Sequence, residues 1–258
     1  MRLKKFLRGI GDKLRMKPKI RFRTHSLAVS DPRSMRKFAE YIQHYTSITP
    51  RNVFEIGANY AQDAEGLRHY FDLKDQDVYV FEAHPQMVEE IRKMYNFHTI
   101  DKAVFNESTI LTFNAVDITS VSNKYNIGMS SIFHDLAQDL ERDYRTFPIQ
   151  VQAIRMDEWM SENKIGSICF LKLDVEGGSY EVLEGFGSRL SDVKSIHVEA
   201  EHIARWAKTK LYDDIAKLLH DNNFEQVYFC KKTYYSDSFW IQKKYLNPKK
   251  WVSAIPNG

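Results

Sequence analysis

Cysteine is scarce in this chain. Only Cys169 and Cys230 occur, within ICFLKLD and VYFCKK, where both read as small core residues of strands. Two such residues cannot build a disulfide framework, and none stands at zinc-ligand spacing, so a reducing, cytoplasmic setting is expected. No apolar run approaches the roughly 20 residues that a helix needs to cross a bilayer. The first residues lack the long apolar stretch and small-residue cleavage site of a secretory signal. There is no internal repeat, and no low-complexity segment beyond a basic tail. What is present is a globular composition, 43% hydrophobic and 28% charged. At 258 residues the chain can bury the core of one large α/β domain.

Charge is unevenly spread. Residues 1–23 hold ten Lys/Arg against one acid, Asp12, a net +9, so the remainder carries 27 basic and 33 acidic side chains, a net −6. Within that tail Leu3, Phe6, Leu7, Ile10 and Leu14 fall on one helical stripe, flanked by Lys4, Lys5, Arg8, Lys13 and Arg15. A basic amphipathic helix over residues 1–16 suits peripheral contact with an anionic membrane; the plainer alternative is a solvated helix docked on the main domain. Three units are expected: the basic segment 1–23, a helical lead-in 24–51, and one domain over 52–258. Asp31-Pro32 marks the start of the lead-in helix, with Met35, Phe38, Ile42 and Tyr45 at helical spacing.

From Asn52 onward strands and helices alternate. NVFEIG, DVYVFEA, FHTIDKAVF, TILTFNAV, IQVQAIR, ICFLKLD and SIHVEAE read as strands. AQDAEGLRHYF, PQMVEEIRKMY, MDEWMSEN, SYEVLEGF and YDDIAKLLHDNN read as helices, and EQVYFCKK and DSFWIQ as a closing hairpin. This order predicts an α/β fold, a doubly wound, Rossmann-like sheet that is mostly parallel with an antiparallel last strand.

Ligands of such a sheet bind outside the carboxyl ends of its strands. The first strand runs into Glu55-Ile56-Gly57-Ala58-Asn59-Tyr60-Ala61, where Gly57 permits a tight turn and Ala58 and Ala61 leave room beside it. The turn is neither a GxGxxG fingerprint, because Asn59 stands at the second glycine, nor a phosphate loop. Alone it is an ordinary strand-to-helix connection. The second strand ends in Phe81-Glu82, and a carboxylate there can accept both hydroxyls of a ribose. Turn and acid together point to an adenosine ligand without a diphosphate.

Three stretches resemble the FkbM family of methyltransferases: FEIGANYA, VYVFEAHP and, most specifically, FLKLDVEGGSYEVLEGF. AVFNE and GMSSIF at residues 128–133 are also similar to family features, and the likeness spans about Asn52 to Trp240. The resemblance implies a class I methyltransferase fold, S-adenosylmethionine as cofactor, and O-methylation of a hydroxyl, often on sugars or lipid-like natural products. It implies that Glu55, Gly57, Ala58 and Asn59 line the methionine part of the cofactor. Glu82 with Ala83 would hold the ribose, Lys102-Ala103 would meet the adenine, and Asp174 would sit by the reacting methyl. Two departures stand out: Ala61 replaces a usual glycine, and Gly178-Ser179-Tyr180-Glu181 displaces a usual acid.

Transfer to an alcohol needs alignment and removal of a proton. Candidate groups end the fourth and fifth parallel strands: Asp174, Glu176, His197, Glu199, Glu201 and His202. Alternation places His197, Glu199 and Glu201 on one face, with His202 pointing elsewhere unless the strand has ended. In one arrangement His202 or His197 is the base and Asp174 orients the acceptor. In another, Asp174, Glu199 and Glu201 hold a divalent metal. The favoured catalytic set is Asp174, Glu199 and His202, without commitment to a metal. Arg205 and Trp206 are candidates to grip a sugar, or else loop and core. A small-molecule or glycan acceptor is expected. Nucleic acid is the disfavoured partner, because DVEG replaces the Asn/Asp-Pro-Pro-aromatic motif of base-amine methyltransferases. A non-catalytic binding module of the same fold is the remaining alternative.

Overall fold

The computed structural model describes residues 31–136 and 144–247. The basic segment 1–23 and its stripe lie outside these residues. Helix α1 (Arg36–Tyr45) is followed by β1 (Val53–Ile56), α2 (Gln62–Tyr70), β2 (Val78–Phe81), α3 (Pro85–Met94) and β3 (His98–Ile100). Next come β4 (Ala103–Val104), β5 (Thr109–Val116), β6 (Thr146–Ile154) and α4 (Met156–Glu162). The chain continues through β7 (Phe170–Leu173), α5 (Ser179–Glu184), β8 (Ser195–Glu201), α6 (Tyr212–Asp221), β9 (Phe224–Lys231) and β10 (Tyr235–Gln242).

Seven strands form one sheet in the order β3-β2-β1-β7-β8-β10-β9. Its pairs are parallel except those of β10, which is antiparallel to both β8 and β9. This is the doubly wound arrangement expected from the alternation, with the antiparallel strand last in sequence. The sequence reading errs at FHTIDKAVF. The run breaks at Asp101-Lys102: His98–Ile100 extends the main sheet, while Ala103–Val104 joins a second sheet of order β4-β6-β5. TILTFNAV and the strand carrying IQVQAIR pair with each other there, Thr109 with Ala153 through Val116 with Thr146. Alternation identified them as strands but carried no information on which sheet they join.

The core lies on both faces of the main sheet. On one, Phe54, Ile56, Leu171, Leu173, Ile196 and Val198 pack against Met156, Met160, Val182, Leu183, Ile215 and Leu219. On the other, Val53, Phe170, Phe239 and Ile241 meet Phe38, Ala39 and Ile42 of α1 and Leu67 of α2. The lead-in from Asp31 onward is therefore packed into the domain. Asp31 caps it by accepting from the Arg33 backbone N–H at 3.0 Å, with Pro32 in the first turn. Its backbone runs so close to α2 that a Cβ on Gly66 would sit 2.1 Å from the Pro32 carbonyl oxygen. Cys169 is buried as expected, whereas Cys230, on edge strand β9, is only half-buried; neither forms a disulfide.

Candidate active site

A cavity of about 660 Å³, open to solvent, lies at the carboxyl ends of β1, β2 and β7. Its floor is the turn after β1. Gly57 has φ +78°, and a Cβ there would fall 1.9 Å from the Asp174 carbonyl oxygen, so the two strand ends meet at a point that only glycine can fill. Asn59 and Ala61 also adopt left-handed conformations, φ 49° and 54°. Ala61 caps α2 in that conformation and is fully buried, which accounts for the family's glycine at this place.

One end of the cavity is built around Glu82, 8% exposed. Its two carboxylate oxygens accept from the backbone N–H groups of Asn59 at 2.7 Å and His84 at 2.8 Å. Burial pushes the Glu82 carboxyl above its ordinary range, and these amide bonds oppose the shift. His84 is fixed at both ring nitrogens: Nδ1 accepts from the Gln86 N–H as the cap of α3, and Nε2 donates to the Val116 carbonyl at 2.8 Å. The Asn59 side-chain oxygen is buried without a hydrogen-bond partner beside the same cavity. Across the opening, Ser131 donates its hydroxyl to the Glu176 carbonyl at 2.7 Å, tying the 127–132 stretch to the end of β7.

At the other end, Asp174 and Glu176 line the wall. Behind Asp174 runs a polar row in an otherwise apolar sheet. Glu55 pairs in register with Lys172, and Lys172 with His197, so the three side chains stand abreast on the face covered by α1 and α2. Lys172 donates to Asp174 at 2.9 Å and stands 3.7 Å from Asp63. Carboxylates crowd this edge. Burial and the nearby charge of Asp174 push Glu176 up to about 8 and Glu199 up to about 10. Glu201 rises to about 6, chiefly through burial. Burial, with Lys172 and Lys37 nearby, holds His197 well below the usual imidazole range.

The sequence matches the family model of the methyltransferase FkbM domain over residues 55–225, more than half of the chain. The chain belongs to this family. Among solved structures, methyltransferase FkbM from Methylobacillus flagellatus KT is 10% identical, with 74% of this chain covered and a TM-score of 0.48. This chain spans only 44% of that protein's length. Magnesium protoporphyrin IX methyltransferase from Synechocystis PCC 6803, solved with bound SAM, is 12% identical, with 82% of this chain and 78% of that one covered and a TM-score of 0.44. A putative RNA methyltransferase from Pyrococcus horikoshii is 12% identical, with 93% and 98% covered and a TM-score of 0.41. No curated protein matches the sequence.

In this FkbM-family domain the cavity gathers Gly57, Asn59, Glu82, Ala83, Lys102, Ala103 and Asp174. Lys102 and Ala103 reach it because the chain breaks from one sheet to the other at that point. Glu55 and Ala58 do not line it. Glu55 lies in the polar row, accepting from the Ala64 N–H at 2.8 Å, and Ala58 packs with Ala61, Ala64, Val78 and Val80. Glu199 flanks the acidic wall without lining the cavity, and its register partner on β10 is Asp237.

His202 is separated from this set. It follows β8 on the opposite face from Glu199, with its ring 5.2 Å from Tyr212 and 6.1 Å from Phe229. The hydrogen bond from its backbone N–H to the Tyr234 carbonyl continues the strand pairing, so alternation carries past Glu201 and turns the ring away. Trp206 is a core residue, 2% exposed and packed on Gly177, rather than a stacking platform. Arg205 is engaged by Asp135 at 3.6 Å. Among the described residues no group of His, Cys, Asp and Glu side chains has metal-holding geometry. Sequence reasoning missed His84, Phe113 and Ser131 as cavity residues. The His84-Pro85 pair, a helix-start signal immediately after the strand-two acid, could have identified the first; the others come from the second sheet and its connection.

Proposed function

We propose that this domain is an S-adenosylmethionine-dependent O-methyltransferase whose acceptor is a hydroxyl of a saccharide or glycan. The observation that carries the reading is one cavity with an oriented carboxylate, Glu82, at one end and the Asp174–Glu176 wall at the other. The residues fit this cofactor. Glu82 keeps lone pairs free for two ribose hydroxyls after accepting its two amide bonds. The unpartnered Asn59 oxygen offers an acceptor to a ligand N–H. Bound there, the cofactor supplies an electrophilic methyl group on a sulfonium.

The chain's part is then alignment and proton removal. Asp174, ion-paired with Lys172, accepts a hydrogen bond from the acceptor hydroxyl, fixes the oxygen in line and takes its proton as the new bond forms. Glu176, held at about 8, is largely protonated at neutral pH and serves as a hydrogen-bond donor to a second hydroxyl of a polyol.

Isothermal titration with S-adenosylhomocysteine, followed by labelled-methyl transfer to saccharides and to RNA, tests the reading. Binding with label in a saccharide is expected, and Asp174→Asn should lower that rate by about 100-fold. Absence of binding would remove the cofactor assignment. Label in RNA alone would remove the acceptor assignment.

A further inference from the structure

Lys172 is an anomaly in its strand. All four residues of β7 are buried, and its side chain is 5% exposed. A lysine at a strand end normally extends its stem and leaves the ammonium in water. This one stays inside, among groups from every element packed around it. Asp174 lies on its own chain at 2.9 Å, and Asp63 of α2 stands at 3.7 Å. Glu55 of β1 stands beside it in register, its carboxyl pushed well above the usual range by burial, and His197 of β8 and Asp237 of β10 interact with Lys172 in turn. Asp63 is itself held by the Ser34 hydroxyl at 2.8 Å, from the lead-in that closes over this face.

Stability alone is a poor reason for such a row, since apolar side chains of similar volume serve as well or better in a buried position. The row differs from a core ion pair in one respect. Its last member, Asp174, is 37% exposed at the side chain and lines the cavity, whereas Lys172 and Asp63 are shut in. A carboxylate at a solvent-open edge is free to turn among rotamers. A hydrogen bond to an ammonium that is itself immobilised takes that freedom away.

We propose that Lys172 is a positioning residue for methyl transfer: anchored by Asp63, it fixes the Asp174 carboxylate at the acceptor end of the cavity. The inference rests on the reading of Asp174 given above. Lys172 touches neither cofactor nor acceptor. It works through the orientation of one side chain, and the Ser34–Asp63 bond extends that control to the lead-in helix.

The test compares Lys172→Gln, Lys172→Arg and Asp174→Asn. Lys172→Gln removes the charge and leaves buried carboxylates uncompensated. Lys172→Arg keeps the charge, so it remains folded if the first variant does not, but its planar fork cannot reproduce a single-point contact. Either variant should lower kcat by about 10- to 100-fold, the loss expected from a misplaced reacting group, with affinity for S-adenosylhomocysteine changed less than about threefold. In the Asp174→Asn background the same substitution should add little further loss, because the side chain it orients no longer acts. A purely structural role would lower both backgrounds alike and would overturn the proposal. So would a crystal structure of either variant with the Asp174 rotamer unchanged, a result that needs no acceptor. If Asp174→Asn itself keeps its rate, the reading of Asp174 fails; if it loses its rate while both Lys172 variants keep theirs, only the present proposal fails.

Discussion

At the scale of single residues, two glutamates near one cavity are put to opposite uses by their surroundings. Glu82 receives two backbone N–H bonds and points its remaining lone pairs at the ligand space. Replacing it by alanine would release those amides as well as the ligand, so glutamine is the cleaner probe. Glu82→Gln keeps an acceptor for one of the two amides, sets its NH2 against the other N–H, and loses the charge. It should weaken S-adenosylhomocysteine binding by about 1–3 kcal/mol, the range for hydrogen bonds to a charged group, with the fold intact. Unchanged affinity in calorimetry would take Glu82 out of the site. Glu199 is stored in its neutral form, at about 10, by burial and by the charges of Asp174 and Glu176. Its folded pKa is raised above the unfolded value. Its stability contribution is therefore full below about pH 4.5 and is lost as pH rises toward 10. Glu199→Gln, which cannot ionise, should be stabilising by about 4 kcal/mol more at pH 8 than at pH 5, where its effect is small. Urea melts at the two pH values read this directly; an equal effect at both would show that Glu199 is not held neutral.

At the scale of elements, the chain end of each strand does the positioning, and this is also where legibility in the sequence varies. Gly57 was legible, because a glycine at the end of a buried strand signals a turn or a close approach. The structure adds that the approach is to the Asp174 carbonyl, 1.9 Å from where a Cβ would lie. Gly57→Ala should therefore destabilise the domain by about 2 kcal/mol or more, combining a left-handed alanine with a backbone clash, and should also weaken cofactor binding. Gly128→Ala is the control, since its Cβ would meet only the Asn59 amide at 3.4 Å and should leave the melting temperature within a degree or two. If both variants melt alike, the strand-end contact is not the constraint. Glu82 and Asp174 were legible as acids at strand tips. Glu55 was not, because all four residues of β1 are buried and alternation cannot tell a ligand-facing acid from one facing a helix. The partners of Lys172 were hidden for a similar reason: Asp63 comes from a helix and Ser34 from the lead-in, neither of which strand periodicity relates to β7. His202 shows the reverse case: alternation turned it away unless the strand had ended, and the backbone hydrogen bond from His202 to Tyr234 shows that the pairing continues.

At the scale of the whole molecule, the charge is divided rather than balanced. Residues 1–16 carry six Lys/Arg against Asp12, while the chain beyond residue 23 is net −6. The lead-in is anchored on its own terms, through the Asp31 cap, the Ser34–Asp63 bond and the packing of Phe38 and Ile42, so removal of the first sixteen residues leaves every one of those contacts in place. We propose that the basic segment with its apolar stripe brings the domain to an anionic surface without taking part in catalysis. Each basic side chain near such a surface contributes about 1 kcal/mol, and the attraction fades over a Debye length, so binding should weaken steeply between low and physiological salt. The full chain should cosediment with vesicles containing phosphatidylserine at low ionic strength and not with neutral vesicles. A chain lacking residues 1–16 should lose that binding and keep its melting temperature, its affinity for S-adenosylhomocysteine and its turnover of a soluble acceptor. Failure of the full chain to bind anionic vesicles at low salt would end the membrane reading. Loss of turnover on truncation would mean that the segment reaches the active site instead.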